Sequence, residues 1–198
     1  PTTPKRAASV HENSNLCTDA TKQRIFIELL EEKRMICFIF TDTSCISGEM
    51  KKTYHLCLSA GDEVLFRDEE DYNRGFNCFA LALYKTGSTG LVESFQSTHC
   101  HKMIQTENHL EFMYTMRQSY SKYFNHKYQR QGRVGEKIHF HMEVAGLHHH
   151  LAAMTYVLRN ALHHGVVPIP YAYPHCSVNA IFQKEMGKRP PERLLAEK

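Results

Sequence analysis

Two long segments with helical periodicity, set between short strand-like segments, most constrain how this chain can fold. In residues 68–86, acidic residues suited to a helix N-terminus precede an apolar series at helical spacing, Tyr72, Phe76, Phe79 and Leu83. In residues 110–128 the apolar stripe consists of Leu110, Met113, Met116, Tyr120 and Phe124. Short segments at 54–60, 91–106 and 137–144 have strand character. This alternation predicts an α+β fold, in which helices pack on a small, mainly antiparallel sheet.

Composition narrows the function classes only in part. The 198 residues carry a net charge of +3, which does not separate an enzyme from a nucleic-acid binder, but the 14 histidines favour metal binding or proton transfer. No apolar run is long enough to span a bilayer, and the polar N-terminus lacks the pattern of a signal peptide. We therefore predict an intracellular protein of the bacterial cytoplasm. The predicted organisation is a flexible tail (1–20), an N-terminal extension (21–53), a main domain (54–167) and a C-terminal tail (168–198).

Two histidine pairs are candidates for holding a metal ion. On the predicted strand around Ser97–Lys102, His99 and His101 share one face, while Cys100 points the opposite way into the core. Imidazoles spaced in this way can converge on one ion. A later strand places His139, His141 and Glu143 on a common face, and this set could also bind a metal. Periodicity alone does not rank the two.

A tyrosine and an asparagine lie one turn apart on the third predicted helix, residues 147–162. Tyr156 and Asn160 lie opposite an apolar stripe that we interpret as the core face, made of Leu147, Leu151, Met154, Leu158 and Ala161. A nearby cation or base would favour the phenolate of Tyr156 and make it a competent nucleophile. The amide oxygen of Asn160 could bind a metal.

Residues 117–137 interleave basic and aromatic side chains. This composition suits single-stranded nucleic acid, because cations hold phosphates and aromatic rings stack on unpaired bases. The predicted DNA-binding residues are Arg117, Lys122, Lys127, Arg130, Arg133 and Lys137. Tyr120 and Phe124 continue the apolar stripe and are predicted to lie in the core.

Several of these segments together resemble the single-tyrosine HUH transposases, in particular the REP-associated tyrosine transposases. The similarity covers residues 54–165 and follows the order of the family's motifs. It includes an opening YHL strand (Tyr54–Leu56), FRDEEDY (Phe66–Tyr72), STHCH (Ser97–His101), SYSKYFNHKY (Ser119–Tyr128) and TYVLRNALHHGVV (Thr155–Val167). Ala161 stands where the family often has proline, and Cys100 occupies the hydrophobic middle position of the histidine motif.

The resemblance implies a ferredoxin-like, RRM-like nuclease fold and assigns roles to individual residues. His99, His101 and Asn160 would hold a divalent ion, Mg²⁺ or Mn²⁺, and Tyr156 would be the nucleophile. It favours the His99/His101 pair over His139/His141. The implied activity is cleavage and rejoining of single-stranded DNA at hairpin-containing sites through a 5′-phosphotyrosine link, as in DNA transposition. A nucleoid-associated location would follow, and both a monomer and a homodimer are compatible with it.

Two other functions remain open at this point. One is a relative that binds DNA hairpins without cutting them. The other is a metallohydrolase that uses His139, His141 and Glu143.

Overall fold

The described part of the chain, residues 51–61 and 63–188, contains one four-stranded antiparallel sheet in this computed structural model. The predicted tail (1–20) and the predicted extension up to residue 50 lie outside the described residues. The strands are β1 (Lys52–Ser59), β2 (Thr89–Phe95), β3 (His99–Thr106) and β4 (Phe140–Glu143). The α-helices are α1 (Glu69–Thr86), α2 (His109–Lys127), α3 (Leu147–Leu158), α4 (Asn160–His163) and α5 (Ser177–Glu185), and Pro170–Ala172 forms a 3₁₀ turn.

The sheet order is β2-β3-β1-β4, and the chain runs β1-α1-β2-β3-α2-β4 before it reaches α3. This is the split β-α-β arrangement of ferredoxin-like folds. The predicted α+β class is therefore confirmed. None of the helices in the described part combines the length and apolarity needed to cross a bilayer.

Local sequence signals explain where the two long helices begin and end. The Asp68 side chain caps α1 by accepting a hydrogen bond from the Asp71 amide at 3.0 Å, and Asn108 caps α2 by accepting one from the Glu111 amide at 3.1 Å. Helix α1 ends at Gly87, whose φ of 60° is readily reached by glycine. Both helices bury most of their predicted stripes, but Leu110 at the start of α2 is 58% exposed. Tyr120 and Phe124 are 2% and 0% exposed, which confirms their core assignment.

Strand alternation divides the sheet into two different faces. On one face, Leu56, Leu58, Cys100 and Ile104 belong to the hydrophobic core shared with α1 and α2. Residues at the alternate positions, including His101 on β3, point to the other face, against which α3 packs. The apolar core residues and His101 therefore lie on opposite faces of the sheet.

The predicted core face of α3 is wrong in part. Leu147 and Leu151 are 60% and 38% exposed, whereas the helix buries Ala153, Met154, Val157 and Leu158. The helix also stops at Leu158, so Asn160 begins a separate short helix, α4. The helix packs against β2 and β3, and this tertiary contact decides which side of the helix is buried.

Residues 170–188 pack against the outer edge of the sheet at β2. The Phe95 amide donates to the His175 carbonyl at 2.9 Å, and the Tyr173 hydroxyl donates to the Phe95 carbonyl at 2.6 Å. The β2 edge is thus partly covered by the segment that follows the predicted main domain, and such cover protects an edge from pairing with other chains.

Candidate active site

His99, His101 and Asn160 lie close together on the face of the sheet covered by α3. The rings of His99 and His101 have centroids 5.2 Å apart, and the His99 Nε2 atom lies 3.3 Å from the Asn160 Oδ1 atom. Two ligands at right angles around an ion, each at about 2.1 Å, would be roughly 3 Å apart. Asn160 is fully buried, and its Nδ2 atom has no hydrogen-bond partner in the described part of the chain. The donor set and its spacing fit a divalent ion.

A third histidine, His55 on β1, supports this pair and was not singled out from the sequence. Its Nε2 atom lies 3.1 Å from the His101 Nδ1 atom, and its side chain is buried. The His99 Nδ1 atom has a partner of its own, the Thr98 hydroxyl at 3.1 Å. Partners at Nδ1 orient each imidazole and favour presentation of Nε2 to an ion.

The protein environment keeps these imidazoles neutral near pH 7. Burial lowers the pKa of His101 to about 3, and the neighbouring His55 and His99 add to the effect. Burial also lowers the pKa of His55 to about 4 and that of His99 below its usual value. A neutral imidazole has the lone pair that metal coordination requires.

Tyr156 lies beside this cluster. Its ring centroid is 5.2 Å from that of His101 and 5.8 Å from that of His55. The side chain is 44% exposed, so a substrate in solvent can reach it. Two further histidines border the same space, since His163 contacts the Tyr156 ring and His164 contacts the His99 ring. The predicted nucleophile and the predicted ligands thus meet within one chain.

A solved protein shares this fold. The structure of a REP-associated tyrosine transposase bound to a REP hairpin superposes with a TM-score of 0.58. The alignment covers 72% of this chain and 87% of that chain at 9% sequence identity. A scan of protein-family models and a comparison with curated proteins found no match. At this identity the likeness establishes a common fold.

A second histidine cluster lies on the opposite face, where β4 meets the start of α2. His109, His139 and His141 offer ring nitrogens that all lie within 4.8 Å of one another, so the three could hold a metal ion. Burial lowers the pKa of His139 to about 4, and the positive charge of Arg117 contributes. Glu143, the third member predicted from the sequence, instead pairs with Lys52 at 3.0 Å. His109 was missed because it is distant in sequence and only tertiary packing brings it to β4.

The predicted DNA-binding residues divide into two groups. Lys127 and Arg130 are engaged with acidic side chains: Lys127 contacts Asp68, Glu70 and Asp71, and Arg130 contacts Glu63. By contrast, Arg117, Arg133 and Lys137 line an open groove of about 430 Å³ together with Tyr114 and His139. Lys122 is exposed on α2. Arg117 donates to the backbone carbonyls of Glu136 and Lys137. Arg133 and Lys137 form no ion pair with a described residue, so their charges are available to bind an anion.

The segment between α2 and β4, residues 128–139, passes close to the end of the sheet that carries His99. The Glu136 amide donates to the Ser59 carbonyl at 2.8 Å, and Ser59 lies opposite His99 in the strand register. The backbone at Glu136 therefore lies at the same end of the sheet as His99, whereas the side chains of Arg133 and Lys137 line the groove beside α2 on the other face.

Proposed function

We propose that this chain is a metal-dependent tyrosine transposase that cleaves and rejoins single-stranded DNA through a 5′-phosphotyrosine intermediate. The observation that carries the proposal is the close approach of Tyr156, His99, His101 and Asn160 to one another, with the Tyr156 side chain 44% exposed. A common fold with a transposase that was solved bound to a DNA hairpin supports it, and hairpin DNA is the substrate class we propose.

The chemistry assigned to the chain's own groups is a nucleophilic substitution at phosphorus. The Tyr156 oxygen attacks the scissile phosphate, the bond to the 3′ oxygen breaks, and that oxygen takes up a proton to leave as a hydroxyl. The tyrosine keeps the 5′ phosphate as an ester. Because a phosphodiester replaces a phosphodiester, a second 3′-hydroxyl can reverse the reaction and join new ends without ATP.

The ligand set proposed for the divalent ion is His99, His101 and Asn160. When bound, Mg²⁺ or Mn²⁺ would polarise a phosphate oxygen and stabilise the charge that develops during attack. His55 is assigned a positioning role, since it contacts His101 at the nitrogen that faces away from the proposed ion.

A covalent adduct tests the proposal directly. We expect hairpin oligonucleotides with randomised flanks, incubated with the protein and Mn²⁺, to give a band that survives SDS. The adduct should contain a label placed at the 3′ end of the DNA and lack a label placed at the 5′ end, because the tyrosine retains the 5′ phosphate. Peptide mass spectrometry should locate the nucleotide on Tyr156, and a chelator should prevent the reaction.

Other outcomes would assign other functions. Hairpin binding that persists without any adduct, with or without chelator, would indicate a protein that binds DNA without cutting it. An adduct that carries only the 5′ label would contradict the proposed polarity. Metal-dependent hydrolysis of a small ester that is lost on substitution of His139 and unaffected at Tyr156 would indicate a metallohydrolase.

The two groups of basic residues are expected to differ in their effect on DNA binding. Arg133→Ala should weaken binding of single-stranded DNA several-fold and lower the slope of log affinity against log salt by about one. Arg130→Ala is the matched control, because this arginine already pairs with Glu63 and should change the slope much less. Fluorescence anisotropy between 50 and 200 mM salt, a range that resolves such slopes, would measure both. Equal slopes for the two variants would contradict the assignment.

A further inference from the structure

The second histidine cluster has the donor set of a transition-metal site. Three imidazoles and no carboxylate face one another, with ring centroids 4.7 Å apart for His109 and His141, 5.6 Å for His139 and His141, and 6.3 Å for His109 and His139. Three nitrogens around a tetrahedral ion would be about 3.4 Å apart. The ring nitrogens lie within 4.8 Å of one another, so they would need to approach by at most about 1.4 Å to share an ion. His109 and His139 are half-buried and His141 is exposed.

One ring nitrogen of the cluster lacks a partner. The Nε2 atom of His139 is buried and makes no hydrogen bond with any described residue. A buried polar atom without a partner is costly, and such atoms in a folded protein commonly indicate a missing water or ion. A metal ion bound by His139 would satisfy this atom.

We propose that His109, His139 and His141 form a second metal site that binds Zn²⁺ or a similar late transition ion. The bound ion would link β4 to the start of α2. The site is separate from the one proposed for catalysis, because the two lie on opposite faces of the sheet. Arg117 lies close to His139, and its charge opposes any cation. An ion that binds imidazole strongly, such as Zn²⁺, Co²⁺ or Ni²⁺, can overcome this repulsion, whereas Mg²⁺ prefers oxygen ligands.

The position of the cluster gives the ion a structural role. Strand β4 has four residues, lies at the edge of the sheet and pairs only with β1 among the described strands. His141 is on β4 and His139 immediately precedes it, while Phe140 between them points to the other face and contacts the His55 ring at 5.4 Å. A bound ion would hold β4 against α2 and so fix the position of Phe140 beneath His55.

Zinc stoichiometry in untagged, chelator-treated protein tests the proposal. His141→Ala is the main variant, because His141 is exposed and its loss should leave the fold intact. We expect it to bind one equivalent of Zn²⁺ fewer than the wild type by equilibrium dialysis. The matched control is His126→Ala, an exposed histidine on α2 outside the cluster, which should bind as much as the wild type. The expected difference of one equivalent does not depend on whether His99 and His101 also bind Zn²⁺.

Two further measurements identify the site. Co²⁺ should give visible absorption bands that weaken in both His141→Ala and His109→Gln. Zn²⁺ at roughly 100 times its dissociation constant should raise the melting temperature of the wild type by several degrees, and His141→Ala should lose most of that increase. Equal zinc binding by His141→Ala, His109→Gln and His126→Ala would overturn the proposal. A loss confined to His101→Ala would place all zinc binding at the other site and would also overturn it.

Discussion

Replacing Tyr156 with phenylalanine is expected to abolish the covalent adduct and to lower DNA cleavage by about three orders of magnitude or more. The substitution removes one oxygen atom and keeps the ring that contacts His101 and His55. Because that ring is retained, the packing of α3 and the affinity for uncut DNA should change little. The measurement is the single-turnover rate on a hairpin substrate, with binding measured in parallel.

The control for this experiment is Tyr84→Phe. Tyr84 lies on α1 and is 87% exposed, so its hydroxyl is at least as accessible to substrate as that of Tyr156. Full activity in the Tyr84 variant together with none in the Tyr156 variant would identify the nucleophile. Retention of the adduct in Tyr156→Phe would refute the proposed role, and the modified peptide would then locate the true nucleophile.

The second large effect is expected on stability, from Asp71→Ala. The Asp71 carboxylate is 0% exposed and joins the first turn of α1 to the end of α2. It accepts hydrogen bonds from the Arg67 amide at 2.8 Å, the Tyr123 hydroxyl at 2.8 Å, the Tyr128 hydroxyl at 2.7 Å and the Lys127 ammonium at 2.9 Å. Removing the carboxylate leaves the Arg67 amide and the two tyrosine hydroxyls without this acceptor, while Lys127 keeps Asp68 and Glu70. We expect the free energy of unfolding to fall by about 3 kcal/mol or more.

Glu70→Ala is the matched control for Asp71→Ala. Glu70 is the adjacent acid and contacts the same Lys127 ammonium at 3.0 Å, but its side chain is 68% exposed. An exposed ion pair contributes little to stability, so the free energy of unfolding of the control variant should fall by less than about 1 kcal/mol. Urea unfolding curves would give both values. Equal losses for the two variants would show that burial of Asp71 is not what makes it important.

The same carboxylate gives a pH dependence of defined sign. Burial alone would raise the pKa of Asp71, but the hydrogen bonds from Lys127, Tyr128, the Arg67 amide and Tyr123 lower it below its usual value. Since the folded-state pKa is below the unfolded one, the stabilisation is present above the ordinary carboxyl pKa of about 3.9 and is lost as the pH falls below it. Wild-type protein should therefore lose more stability than Asp71→Asn between neutral pH and about pH 2.

Sequence periodicity was most informative where one side of an element faces the core. Most of the apolar stripes of α1 and α2 and the acidic start of α1 could be predicted, because helix burial and charge at a helix N-terminus depend on neighbours within a few residues. The placement of His99 and His101 on a face opposite Cys100 follows from strand alternation, and Cys100 is indeed 0% exposed. The third helix was harder, because a short helix with leucines on several sides offers more than one apolar face.

The sequence by itself determined the α+β class, the two long helices and the shared face of His99 and His101. Each of these follows from the spacing of apolar and polar residues that are near one another in the chain. Only the tertiary structure decided that His55 contacts His101 and that His109 joins His139 and His141. It also decided that Lys127 contacts Asp71 and is not a free cation. These pairings depend on strand order and on how α2 lies across the sheet, and long-range packing sets both.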